Sequence, residues 1–146
     1  MEAFLLDKFR FDVVANERFI AAIDTADLLL NSEIRAHMCH ILNVHHLWIN
    51  RLLDKPTISE DWDDLPVYAW SKLNQENFQM TEEFIRNENL EGVCNYQTSE
   101  GNQMQKGVSS ILYHLLQHAT HHRAVINMLF RKYNADPVVF NYIEEA

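Results

Sequence analysis

Three observations predict an all-α protein, an antiparallel four-helix bundle with a short hairpin-like segment before the last long helix. The 146-residue chain has only three glycines and three prolines, so residues that interrupt helices are scarce. Apolar residues make up 47% of the chain, and in four long segments they recur at helical spacing. No segment repeats or has the composition of a linker, so we expect one domain over residues 1–146.

Each predicted element follows from its apolar pattern and from the polar or turn-forming residues that end it. Asn31 and Ser32 both suit the N-cap of the second helix. Two prolines in a polar stretch predict a loop after that helix, and Ser99-Glu100-Gly101 predicts a turn within an alternating segment. Helices are predicted at about residues 1–23, from the N-cap at Asn31 or Ser32 to about residue 53, at 68–86 and at 108–133. A loop is predicted at 54–66 and an extended hairpin-like segment at 92–108. A short C-terminal segment, expected to be helical, begins at Asp136-Pro137.

Charge and composition exclude several classes of partner. The formal net charge is −9, which argues against binding to nucleic acid or to an anionic membrane surface. The first residues lack the basic start and apolar stretch of a signal peptide, and the two cysteines form no motif. We therefore expect a cytoplasmic protein that acts on a small-molecule substrate. Helical bundles of this kind can also form homodimers, which is a further expectation.

The segment YHLLQHATHHR, residues 113–123, carries the clearest chemical signal. His118 and His122 are one helical turn apart, which is the spacing at which a helix offers two imidazoles to one metal ion. Both lie within the apolar stripe of the fourth helix, whereas His114 and His121 lie at its flank. The pair is predicted to point inward, either as metal ligands or as members of a buried polar network.

A third ligand is expected from the second helix, because catalytic zinc sites usually have three protein ligands. Periodicity favours His45, which lies on the apolar stripe, and places His40 at the edge of that stripe. Each candidate can also be an ordinary surface or flanking residue. The candidates are His37, His40, His45 and His46.

Three segments resemble the DinB-like (YfiT-like) superfamily of small helical metal proteins. They are FDVVANERFI in the first helix, HILNVHHLWINRL in the second, and NYQTSEGNQMQKGVSSILYHLLQHATHHR, which ends in a His-x3-His-Arg motif. The resemblance covers nearly the whole chain and implies that His40, His118 and His122 hold the metal. The chain departs from the superfamily after Arg123, where Ala124-Val125 replaces the Gly-Gln of many members.

The resemblance also implies a divalent metal ion, with zinc or nickel the expected occupant, and a low-molecular-weight thiol as a second cofactor. Superfamily members include thiol-dependent transferases and isomerases, and others are described as metal-dependent hydrolases. The sequence shows no separate catalytic motif. The open alternatives are a metal-dependent hydrolase or thiol S-transferase, a metal-binding protein without turnover, and a bundle whose histidines form hydrogen bonds only.

Three further features have expected roles near the site. Asn43 is predicted to be an ordinary polar helix residue, with the orientation of a water or substrate as the alternative. Arg123 is predicted to pair with an acidic residue rather than with a substrate. His114 is a candidate partner of His118 or a candidate base, and the acidic residues at 60–64 are expected to form a solvated surface.

Overall fold

The computed structural model describes residues 1–57 and 59–145; Ile58, in the predicted loop, and Ala146, the last residue of the predicted domain, lie outside the described residues. The elements are α1 (Glu2–Thr25), α2 (Ser32–Leu52), α3 (Val67–Asn87), β1 (Val93–Gln97), β2 (Gln103–Gly107), α4 (Val108–Lys132) and α5 (Tyr142–Glu145). The predicted helical fold and hairpin-like segment are confirmed. Helix ends differ from the sequence prediction by one or two residues, because terminal turns fray.

The start of α2 is fixed by a side-chain cap. Asn31 has an extended backbone, and its side-chain oxygen accepts a hydrogen bond from the backbone N–H of Ile34, 3.0 Å away. This contact satisfies one of the free N–H groups of the first helical turn. Of the two predicted N-caps, the structure therefore selects Asn31.

The segment before α4 is an antiparallel hairpin. β1 pairs with β2 in a register that places Val93 opposite Gly107 and Gln97 opposite Gln103. The chain reverses at Gly101, whose φ of 88° lies in the region that glycine adopts without strain. Gly107 then serves as the N-cap residue of α4, so the hairpin leads directly into the helix that carries two of the predicted ligands.

Two apolar clusters form the core. One contains Phe19, Trp70 and Phe130, and the other contains Phe9 and Leu112. On α1 and α3, buried polar residues occur in sequence between the members of one cluster and those of the other. These residues are Asp12, Asn16, Asn74, Asn77 and Thr81. His40 and His122 lie in sequence among members of the first cluster.

The C-terminal segment packs against α1. The ring of Phe140 stacks on Phe11 with 4.9 Å between the ring centroids, and α5 follows at once, as the sequence predicts. Among the helices of the described residues, none combines the length and the apolar character needed to cross a membrane.

Candidate metal centre

The three predicted metal ligands lie together between α2 and α4. His40 belongs to α2, and His118 and His122 lie one turn apart in the unbroken helix α4. One ring nitrogen from each side chain lies within 4.8 Å of the other two. His122 is only 9% exposed, whereas His114 and His121 are exposed, so the predicted faces of α4 are confirmed.

The hydrogen bonds of His40 determine which of its nitrogens is free. Its Nδ1 lies 2.7 Å from the backbone carbonyl oxygen of Asp61, which can only accept, so Nδ1 donates and carries the proton. The lone pair of neutral His40 is then on Nε2, 3.0 Å from Nε2 of His118. A ring N–H donated to a carbonyl group is the usual support of a metal-binding histidine.

His37 supports the third member of the group. It lies one turn before His40 on α2, and its Nδ1 is 2.9 Å from Nδ1 of His122. When Nδ1 of His122 is the donor of this pair, the lone pair of His122 is on Nε2, where an ion can bind. His37 was one of the candidate third ligands, and the structure places it beside the site as a hydrogen-bond partner of a ligand candidate.

The electrostatic environment keeps the three imidazoles neutral. Burial and the neighbouring histidines lower the pKa of His118 from 6.5 to about 3 and that of His122 to about 4. Burial also lowers the pKa of His40, although its hydrogen bond to Asp61 opposes the shift. Neutral imidazoles retain the lone pairs that coordinate a metal. Their proximity is unfavourable when they are protonated, because like charges then repel.

Trp62 covers one side of the site. Its ring is stacked on His40 with 3.6 Å between the centroids and 7° between the planes, and it also contacts His37 and His122 at its edge. Trp62 and the Asp61 carbonyl both belong to the loop between α2 and α3. The acidic residues of this loop are exposed, as expected. The contacts of the Asp61 carbonyl and the Trp62 ring with His40 were not predicted. A tryptophan within an otherwise polar loop was the available sequence signal.

Asn43 holds this loop in place. Its side-chain amide donates to the backbone carbonyl of Asp63 at 2.8 Å, and its side-chain oxygen accepts from the hydroxyl of Ser59 at 3.3 Å. Asn43 is fully buried, so it is not the ordinary polar helix residue that the sequence suggested. Its contacts position the loop, and through the loop they position Asp61 against His40.

His45, the ligand that periodicity favoured, faces α3. Its Nε2 is 2.8 Å from the hydroxyl oxygen of Thr81, and that hydroxyl donates to the backbone carbonyl of Asn77. His45 must therefore donate from Nε2, and burial lowers its pKa to about 4. The neighbouring His46 contacts the side-chain oxygen of Asn77 at 3.2 Å. Periodicity predicted correctly that His45 is buried, but His40 is equally buried, and periodicity could not show which helix each of them faces.

Arg123 links α4 to α1. Its guanidinium group donates to a carboxylate oxygen of Asp12 and to the side-chain oxygen of Asn16, each at 2.7 Å, and all three residues are buried. The predicted acidic partner is confirmed. His114, by contrast, has ring contacts with His118 and with Trp48, at 5.9 Å and 6.2 Å between the centroids, and among the described residues no hydrogen bond supports either predicted role.

The fold and the site together define a helical protein whose long helices bring three histidines to one point. The chain belongs to the DinB family, whose model matches residues 5–146. No curated protein matches the sequence.

The donor set fits a borderline divalent metal ion. Three neutral imidazoles suit zinc, nickel, copper or iron, whereas magnesium and calcium prefer oxygen ligands. Ligand nitrogens about 2.1 Å from an ion lie roughly 3–4 Å apart. The nitrogens of His40, His118 and His122, all within 4.8 Å of one another, need only small side-chain rotations to reach that spacing.

Proposed function

We propose that the protein is a metal-dependent enzyme of the hydrolase or thiol S-transferase type. His40, His118 and His122 would hold a divalent ion, for which zinc and nickel are the best candidates. A bound ion of this kind supplies Lewis acidity, which lowers the pKa of a coordinated water or thiol. Three neutral ligands leave the ion its full positive charge, which favours this chemistry.

The observation that carries the proposal is the free lone pair of His40. The carbonyl group of Asp61 fixes the proton of His40 on Nδ1, so Nε2 is left to face His118. His37 Nδ1 lies 2.9 Å from Nδ1 of His122 and can accept its proton, which would leave the lone pair of His122 on Nε2. Two of the three ligand candidates are thus already oriented by partners outside the group, as metal-binding histidines usually are.

The proposal includes the arrangement of the long helices. α1 contacts α3 and α4, and α2 contacts the same two helices. These contacts support an antiparallel bundle of α1–α4. In such bundles, metal sites are commonly formed by side chains on facing helices.

The test begins with elemental analysis of the untagged protein. The protein is then stripped with a chelator, reloaded with zinc or nickel, and assayed with p-nitrophenyl acetate for hydrolysis and with cysteine plus chlorodinitrobenzene for thiol transfer. We expect activity only in the loaded protein. Replacing His118 with Ala should abolish it, whereas replacing the exposed His121 should not.

Activity should also decline in acid together with metal occupancy. Protons compete with the ion for each imidazole, so occupancy should fall steeply, well below the ordinary histidine pKa of 6.5. Activity that survives complete removal of metal would overturn the proposal. Stoichiometric metal without turnover would favour a metal-binding protein, and protein purified without any metal would favour histidines that form hydrogen bonds only.

A further inference from the structure

Arg51, in the last turn of α2, is a half-buried cation without an acidic partner among the described residues. Its guanidinium carbon lies 4.7 Å from the ring centroid of Trp48 and 5.0 Å from that of Tyr96 on β1. The two rings hold the guanidinium group in place, and in the described part of the chain its N–H groups donate no side-chain hydrogen bond. Arginine presents these donors in a planar fork that matches a carboxylate.

The guanidinium group borders a cavity of about 530 Å³ between α2, the loop after it and the turn of the hairpin. A cavity of this size is within the range of small-molecule sites. Hydroxyl and amide groups supply much of its wall, and they suit a ligand with polar groups along its chain. These residues are Thr57, Ser59, Gln97, Thr98 and Ser99.

Two of the residues that line the cavity are neighbours of His40. Val44, one turn after His40, lines it, and so does Asp61, whose carbonyl group accepts the hydrogen bond of His40. Arg51 follows His40 by eleven positions, about 16 Å along a helix axis. Because its side chain packs on Trp48, the guanidinium group is directed back along α2 toward His40.

The charges around the cavity limit the ligand. Arg51 is the only cation that lines it among the described residues, and the acidic Glu60 and Asp61 line it as well. These two carboxylates repel a phosphate or a polycarboxylate more strongly than a single carboxylate, because the repulsion grows with the charge of the ligand. A single carboxylate can have its one charge paired by Arg51.

We propose that Arg51 binds the carboxylate of a small polar monocarboxylic acid whose other end reaches His40, His118 and His122. The site of the carboxylate is independent of the metal. The role of the other end as the reacting group rests on the proposed function. The inference thus assigns a substrate class to the site, an extended acid with its reactive oxygen or sulfur remote from the carboxylate.

The first test uses metal-free protein and the side-chain N–H signal of Arg51 in an NMR titration. The probe is N-acetylglycine, and N-acetylglycinamide is its uncharged match. We expect the acid to shift the Arg51 signal and the amide to leave it unchanged. Charge-assisted hydrogen bonds of this kind predict that Arg51→Met weakens acid binding about tenfold or more. The control variant Arg131→Met, at an exposed position of α4, should bind as the unaltered protein does.

A second test uses a probe that carries both proposed ends of the ligand, a thiol and a carboxylate. In cobalt-loaded protein, binding of a thiolate is followed by its charge-transfer absorption, and ω-mercaptohexanoate is compared with ω-mercaptohexanol. We expect the acid to bind about tenfold more tightly in the unaltered protein, and the two thiols to bind equally in Arg51→Met. Unfolding curves of both arginine variants establish that they are folded.

The outcomes separate the two proposals. If neither thiol binds cobalt but N-acetylglycine still shifts the Arg51 signal, the carboxylate site is supported and the thiol-transfer form of the proposed function fails. If both thiols bind equally well and the Arg51 signal does not respond to acid, the inference is overturned while the metal-centred function is retained. Arg51 would then only stabilise the C-terminus of α2 and the aromatic stack.

Discussion

Replacing His40 and His45 with alanine, one at a time, separates the metal centre from the core. His40→Ala removes the nitrogen that faces His118. A zinc site with four ligands binds with about 10–16 kcal/mol, so one imidazole contributes roughly 3 kcal/mol, or about a 100-fold loss of affinity. In metal-free protein the same change removes the hydrogen bond to Asp61, which contributes about 1 kcal/mol, and the buried ring that stacks on Trp62, so it also lowers the free energy of unfolding.

His45→Ala should leave metal affinity unchanged and destabilise the fold. It removes a buried ring that packs against Phe9 and donates to Thr81. The Thr81 hydroxyl keeps the hydrogen bond that it donates to the carbonyl of Asn77, so it loses only the hydrogen bond that it accepts from His45. Loss of the ring and of that bond should lower the free energy of unfolding at pH 7 by about 2–3 kcal/mol.

The cost of His45→Ala should shrink in acid. Burial lowers the pKa of His45 from 6.5 to about 4, so between these pH values the unfolded chain takes up a proton that the folded chain does not. This titration therefore leaves the free energy of unfolding unchanged above pH 6.5 and decreases it as the pH falls toward 4. At pH 5 the unaltered protein has lost about 2 kcal/mol through His45, at about 1.4 kcal/mol per pH unit. The alanine variant has no such loss.

Urea unfolding of metal-free protein at pH 7 and pH 5 measures the stability part, and zinc titration against a competing chelator measures affinity. His121→Ala is the control and should change neither quantity, because His121 is exposed. Between the unaltered protein and His45→Ala the titrations of His118 and His122 cancel, because His45 is not among the groups that shift the pKa values of these two residues. If His45→Ala loses metal while His40→Ala keeps it, the ligand of α2 is wrongly assigned. An equal cost of His45→Ala at both pH values would show that His45 is not a buried neutral group.

Two further predictions concern the residues that support the site. His37→Ala should weaken zinc binding about 10–100-fold, because His122 then loses the partner of its Nδ1; an unchanged dissociation constant would remove His37 from the site. Asp12→Ala should lower the free energy of unfolding in urea by about 3–5 kcal/mol, because Arg123 is left buried without its carboxylate. Asp12→Asn, which keeps an acceptor oxygen, should cost less, and equal effects of the two variants would contradict the ion-pair explanation.

The sequence predicted the helices and the pair on α4 because both depend on local spacing. His118 and His122 are one turn apart, and the apolar residues around them define one face of one helix. The antiparallel hairpin was likewise predicted from alternation and from the turn at Gly101. These features need no knowledge of which elements pack together.

The choice between His40 and His45 could not be made from periodicity. The hydrophobic stripe of a helix shows how deeply a residue is buried, whereas coordination depends on which neighbouring helix it faces. His45 lies on the stripe but faces Thr81 of α3, whereas His40, at the edge of the stripe, faces α4. Only the resemblance to a family of metal proteins favoured His40. The contributions of Asp61 and Trp62 were missed because the conformation of a polar loop is not encoded in a periodic pattern.

The residues of the His-x3-His-Arg motif together fix the orientation of α4 about its own axis. Successive residues of a helix point about 100° apart, so His122 and Arg123 face different neighbouring helices. Arg123 is held by Asp12 and Asn16 of α1, while His122 contacts His37 of α2 and lies beside His40. A rotation of α4 about its axis would therefore break the buried ion pair as well as turn the histidines away from α2. The arginine therefore needs no contact with a metal or a substrate to matter for the site, because it keeps both imidazoles of α4 directed at α2.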